Sequence, residues 1–462
     1  MTTTPADKRS LARRSLALGL LFTAGPLAGQ TITERYRAAA DRIIEAALAD
    51  STAYHRLAEL TDRFGPRFSG TENLERALDW ILAEMRNDGL ANVRAEPVMV
   101  PHWVRGEESA ELLEPRSRQL PMLGLGGSIA TPPEGITAEV LVVSSFEDLA
   151  RRAADAQGKI VLFNAPFTNY GQTVQYRGRG ADAASRAGAV ASLIRSVTPY
   201  SQQTPHTGGM SYNDSVPRIP HAAITPEDAA MLQRMVDRGQ RVVVRLKMSA
   251  RMLPDVQSRN VMAEWRGSER PDEVVVLGGH IDSWDVGQGA MDDGGGSVVS
   301  WEAVRLLQRL NLRPRRTVRV VLWTNEENGL RGGNAYRDAH LSEVPKHVLA
   351  IESDGGVFKP QGFGFSGSDA AFATVQEIGH LLDRIEAGTL TRGGGGADIG
   401  PLAREGVPVM GLNVDGTRYF WYHHTDSDTM DKLNPREMAL CVATMAVMAY
   451  VVADLPEALP RN

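Results

Sequence analysis

Short apolar runs alternate with amphipathic stretches at helical spacing along the second half of the chain, which predicts strands and helices of an α/β sheet. Residues 274–277 (VVVL) have the length and β-branching of a buried strand, and Gly278 and Gly279 end it just before His280. Residues 297–310 place Val299, Ala303, Leu306, Leu307 and Leu310 on one helical face. Further strands are expected over 317–324, 348–351 and 409–414. A charge-free helix over 438–453 follows Asn434-Pro435-Arg436-Glu437, where Asn434 caps, Pro435 suits the first turn and Glu437 completes a capping box. It is short for a bilayer, so it is read as a core helix with no membrane span. Towards the N-terminus the spacing predicts helices over 31–49, 57–64 and 71–89 and a strand over 93–100. From 124 to 248 a second set of elements appears, with strands over 140–143, 159–163, 192–194 and 242–246 and a helix over 181–191.

Polar residues collect where the strands of the second half stop. His280 is followed by Asp282, placed to accept the second ring N–H of the histidine and fix its tautomer. Asp292 sits on a glycine-rich loop, Glu326 and Glu327 follow the strand at 317–324, and Asp354 follows the strand at 348–351. After the run 409–414 come Tyr422, His423, His424 and Asp428. In an open α/β sheet ligands bind outside the carboxyl ends of the strands, so these clusters can converge on one site.

In this order, His280-x-Asp282, Gly289-Ala290-x-Asp292, Glu326-Glu327, Asp354 and His424-x-x-x-Asp428-Thr429 resemble the dinuclear-zinc exopeptidases of the aminopeptidase and carboxypeptidase Q type. The resemblance implies an α/β fold: a three-layer αβα peptidase domain with a mixed central sheet, plus an inserted, smaller α/β protease-associated domain. It implies two Zn²⁺, with His280 and Asp354 on one, Glu327 and His424 on the other, Asp292 bridging both, and Glu326 as general base. It also implies a cis peptide after the bridging acid, at Asp292-Asp293, and a homodimer. Relatives carry an aromatic hydroxyl just before the last histidine ligand. Here His423 stands in that place and Tyr422 one step earlier, so either could donate to a developing oxyanion. The expected substrates are dipeptides or short peptides. Carboxypeptidase action needs a cation for the substrate carboxylate, for which Arg392 and Arg418 are the candidates, whereas an aminopeptidase would hold the amine with an acid.

Length and composition narrow the picture further. A chain of 462 residues favours more than one core, and the expected division is 1–30, 31–123, 124–250 for the insert, and 251–462. Residues 1–30 read as a targeting segment: Lys8, Arg9, Arg13 and Arg14 precede an apolar core at 16–24, which predicts secretion or a periplasmic location, and Arg13-Arg14 resembles a twin-arginine signal. A formal charge of −6 with mixed signs gives no support for nucleic-acid binding. The single cysteine, Cys441, is read as a buried structural thiol. Neither Gly-x-Ser-x-Gly nor His-Glu-x-x-His occurs, so the serine-hydrolase and helical single-zinc readings lose their signatures. A non-catalytic receptor-like relative and a one-zinc aminoacyl cyclase are the alternatives from other classes, and metal content separates them from a dizinc peptidase.

Overall fold

The computed structural model describes residues 1–3 and 31–461, so the core of the expected targeting segment lies outside the described residues. Strand Arg270–His280 runs inside an eight-stranded mixed sheet. The strand order is Ala91–Val104, Arg251–Trp265, Arg316–Trp323, Arg270–His280, His347–Glu352, Val409–Val414, Pro360–Ser366 and Thr389–Arg392. The strands beginning at Arg316, Arg270, His347 and Val409 are mutually parallel, and antiparallel pairs flank them. Their carboxyl ends therefore open on one edge of the sheet, which is where the polar clusters sit.

Alternation along the central strands divides the apolar residues between two faces. Val275 and Leu277 pack with Val320, Leu322, Leu349 and Ile351 under helices that include Gly295–Arg309 and Pro435–Asp454. Val274 and Val276 face the other way, towards Val321, Trp323, Ala350, Tyr336 and Leu402. Helices thus cover both faces, as the near-continuous apolar runs of a buried parallel sheet require. Helix Pro435–Asp454 is buried through most of its circumference, as a helix apolar all round must be. Asn434 caps it by accepting the N–H groups of Arg436 and Glu437 at 2.8 and 3.4 Å. The Glu437 carboxylate does not complete a box but faces Arg418 at 3.4 Å.

A second eight-stranded mixed sheet follows the order Arg118–Leu120, Glu108–Glu114, Val243–Met248, Ile136–Val143, Ile160–Phe163, Ala191–Arg195, His221–Ile224 and Met122–Gly124. Strand Glu108–Glu114 pairs antiparallel with Val243–Met248. The chain therefore leaves the first sheet after Val104, ahead of the boundary at 124 read from the sequence, and rejoins it at Arg251. The cause is that residues 108–124 form three short strands, of which Glu108–Glu114 and Met122–Gly124 find partners more than a hundred positions later, while Arg118–Leu120 folds back on Glu108–Glu114 at the sheet edge. Helix Gln175–Arg186 likewise begins before the expected 181. This inserted unit has its own apolar clusters, and it clasps the loop that carries the last histidines. Thr207 N–H donates to the His424 carbonyl at 3.0 Å, Thr198 Oγ1 donates to the Phe420 carbonyl at 2.5 Å, and His206 Nδ1 lies 2.7 Å from the His423 carbonyl.

Candidate active site

Strand Arg270–His280 delivers His280 at its last position, and the backbone around it fixes the ring. His280 N–H donates to Asp293 Oδ2 at 3.0 Å, and Nδ1 lies 3.0 Å from the Asp282 carbonyl oxygen. With the Nδ1 proton given to that carbonyl, the Nε2 lone pair points at Asp292 Oδ1, 3.2 Å away, and Asp354 Oδ1, 3.3 Å away. The Asp282 carboxylate takes a different task from the one read in the sequence. Its Oδ1 is 3.7 Å from His280 Nδ1, while the two oxygens accept the backbone N–H groups of Glu326 at 3.1 Å and Glu327 at 3.4 Å. Asp282 thereby ties the end of one strand to the glutamate pair at the end of the next.

Asp292 sits at the centre. Its Oδ1 faces His280, and its Oδ2 lies 3.3 Å from His424 Nε2 and 3.5 Å from His423 Nε2. Asp428 holds the loop by accepting the N–H groups of Met291 at 2.7 Å and Asp292 at 3.1 Å. The Asp292-Asp293 peptide bond is cis. Buried Arg67 donates to the carbonyls of Ile281, Gln288 and Gly289 and so braces the loops on both sides of the site. His424 Nε2 is 3.0 Å from Glu327 Oε2. The His423 and His424 rings stack at 3.4 Å between centroids.

The charges in this cleft are crowded and poorly solvated. Burial pushes the Glu327 carboxyl up to about 7 and the Glu326 carboxyl well above its ordinary value. Burial opposes charge on His424, yet Glu327 and Asp292 together push its imidazole up to about 10. Four acids, Asp292, Glu326, Glu327 and Asp354, thus draw positive charge into one place.

The donors fit metal ions. His280, Asp292 and Asp354 present ligand atoms within 4.8 Å of one another, as do Asp292, His423 and His424, and Asp292 belongs to both groups. Asp292 Oδ2 and Glu327 Oε1 are buried with no hydrogen-bond donor, which leaves lone pairs for a cation. Imidazole nitrogens with carboxylate oxygens are the donor set zinc takes.

The cleft of about 420 Å³ is lined by Asp292, Glu326, Glu327, Asp354, His423 and His424, and also by Tyr170, Arg177, Leu330, Tyr419 and Phe420. The two arginines proposed from the sequence stand elsewhere. Arg392 is on the edge strand, half-exposed and paired with Asp369 at 2.6 Å, and Arg418 pairs with Glu437. Tyr422 packs against the apolar core instead of lining the cleft. Tyr419, one helical turn before His423, lines it instead, with burial pushing its phenol well above the ordinary range. A helix at Tyr419–Tyr422 was the signal that could have revealed Tyr419. Nothing local marks Tyr170 or Arg177, which reach the cleft from the inserted unit.

Comparison with known proteins agrees with this geometry. Residues 260–449 match the profile of Peptidase family M28. Carboxypeptidase Q of Bos taurus is 52% identical over 414 residues, covering 90% of this chain and 88% of its own. The crystal structure of a Peptidase M28 precursor from Shewanella amazonensis superposes with a TM-score of 0.89 at 37% identity, covering 92% of this chain and 98% of that one. A zinc aminopeptidase from Bacillus subtilis shares the fold, with a TM-score of 0.64 at 22% identity over 86% of this chain and 93% of its own. With half its residues identical to carboxypeptidase Q over most of both chains, and with the acids and histidines of the cleft falling inside the matched segment, the chain belongs to peptidase family M28 and is a zinc metallo-exopeptidase.

Proposed function

We propose that the cleft hydrolyses dipeptides or short peptides at a terminal residue with two zinc ions, His280 and Asp354 holding one, Glu327 and His424 the other, and Asp292 both. The observation that carries this reading is the position of Asp292, with one oxygen on the His280 side and the other on the His424 side. Bound there, the ions supply Lewis-acid polarisation of the scissile carbonyl and lower the pKa of water from ~15.7 toward about 7. Glu326 lines the same cleft and takes the proton of the attacking water, then returns it to the leaving amine. Its raised carboxyl suits both halves of that exchange. Tyr419, protonated through burial, and His423 stand where they can donate to the developing oxyanion. The inserted unit acts as a protease-associated domain that closes one wall of the cleft, a role supported by Tyr170 and Arg177.

Export through the 1–30 segment and a homodimer complete the reading, and light scattering of the purified protein tests the dimer. For the activity, the test is zinc per chain together with turnover of dipeptides. Two equivalents and release of free amino acids are expected. One equivalent points to the cyclase chemistry instead, and zinc-loaded protein that cleaves no dipeptide overturns the proposal.

A further inference from the structure

Taking the exopeptidase reading as its basis, we infer that Arg177 of the inserted unit anchors the C-terminal carboxylate of the substrate and thereby makes the enzyme a carboxypeptidase or dipeptidase. Arg177 stands on helix Gln175–Arg186 and lines the same cleft as Asp292, Glu326 and Glu327. It is 8% exposed, and among the described residues no carboxylate lies within ion-pair distance of it. Other buried arginines differ. Arg105 pairs with Asp285 at 2.6 Å, Arg319 with Glu264 at 2.7 Å, and Arg67 spends its guanidinium on backbone carbonyls.

The few contacts of Arg177 leave its charge unanswered. Nη2 donates to Tyr170 Oη at 2.7 Å, and Nε is buried without a partner. Nη1 lies 3.4 Å from His424 Nδ1, but a His424 that gives its Nε2 lone pair to zinc, as the proposed function has it, carries its proton on Nδ1, so the two meet donor to donor. His424 Nδ1 has the Thr207 carbonyl at 3.4 Å as its acceptor. A buried cation without a counter-charge is costly, and a guanidinium offers a planar fork that matches a carboxylate.

The surroundings hold the fork in place. The guanidinium packs over Gly208, where an added Cβ would fall 2.3 Å from Nη1 and push it aside, and the Tyr170 ring that receives it is stacked on Phe420 at 5.0 Å. One imidazole separates Arg177 from Glu327 and Asp292, since His424 shows Nε2 to the acids and Nδ1 to the arginine. A carboxylate one residue beyond the scissile bond spans that distance. A longer C-terminal extension would carry its carboxylate past the guanidinium.

The test uses zinc-loaded full-length protein with alanyl-leucine, its N-acetyl form and its C-terminal amide. Wild type is expected to cleave both free acids and to lose ~10²-fold in kcat/KM on the amide, the scale of an interaction with a buried charged group. Arg177→Met should lose about the same factor on the free acids, mainly through KM, while changing little on the amide, and Arg177→Lys should recover part of it. Equal losses on acid and amide, with zinc content unchanged, would reduce Arg177 to a support for His424 and overturn the inference, as would a wild type that cleaves the amide as well as the acid. If wild type cleaves none of them, the exopeptidase reading itself is lost. The anchor is then judged by calorimetry: leucine but not leucinamide should bind wild type and not Arg177→Met, and equal binding of the two rejects it.

Discussion

The Asp282 carboxylate accepts the backbone N–H of Glu326 at 3.1 Å from a position with no solvent exposure. The same carboxylate receives the N–H of Glu327 at 3.4 Å, so one side chain sets the direction of two adjacent acids to which the proposed mechanism gives different tasks. Asp282→Ala leaves both partly buried N–H groups without this acceptor, at a cost of about 1–3 kcal/mol. Because Glu327 faces the metal side, zinc affinity should also fall by roughly 10- to 100-fold, as for other residues that orient metal ligands. Chelator-buffered zinc titration beside a thermal melt reads both effects. An unchanged affinity would show that Asp282 only fills space.

Glu326→Gln separates proton transfer from metal binding. Glutamine keeps the size and the backbone bond to Asp282 but can neither take nor return a proton. The expected loss in kcat is about 10²–10⁴-fold, with zinc content and melting temperature close to wild type. Turnover that survives the change would remove Glu326 from the reaction.

The parts of the site that were legible in the sequence are those fixed by local pattern. Gly278-Gly279 after an apolar run put His280 at a strand end, and the parallel pairing of four such strands brings Asp292, Glu327, Asp354 and His424 together. The role of Asp282 was misread because sequence adjacency suggested His280, whereas the register of two neighbouring strands places the glutamate N–H groups nearer. Arg392 and Arg418 were plausible carboxylate anchors only while Asp369 and Glu437, their partners in the fold, stayed out of view. Arg177 was invisible for the opposite reason. Its place beside His424 depends on an inserted unit docking through Thr198, His206 and Thr207, a contact between segments far apart in the chain.

Zinc removal should lower stability as well as activity. Asp292, Glu326, Glu327 and Asp354 share a cleft in which burial already disfavours their charged forms, and cations relieve that crowding. Ligand linkage gives about 2.7 kcal/mol of stabilisation at a free zinc concentration of 100 Kd. Calorimetry of chelated and zinc-reloaded protein should show a higher melting temperature on reloading. Coincident melts would mean that the cleft does not hold metal in the folded state.

His347, far from the cleft, gives the chain a dependence of stability on acid. Burial pushes its imidazole down to about 4, its Nε2 lies 2.9 Å from Tyr336 Oη, and its Nδ1 lies 3.1 Å from the Glu343 carbonyl. The ordinary value in the unfolded chain is about 6.5, so between pH 6.5 and 4 the unfolded state binds a proton that the folded state refuses. Stability is therefore fully present above about 6.5 and is lost as the pH falls through that window, at about 1.4 kcal/mol per pH unit. His347→Gln keeps a partner for Tyr336 and removes the titration. Acids elsewhere in the molecule titrate in both proteins, so the difference between their unfolding midpoints isolates the histidine. The advantage of wild type over the variant should shrink steadily from pH 7 to pH 4.5, and a constant difference across that range would show that His347 already accepts its proton in the folded protein.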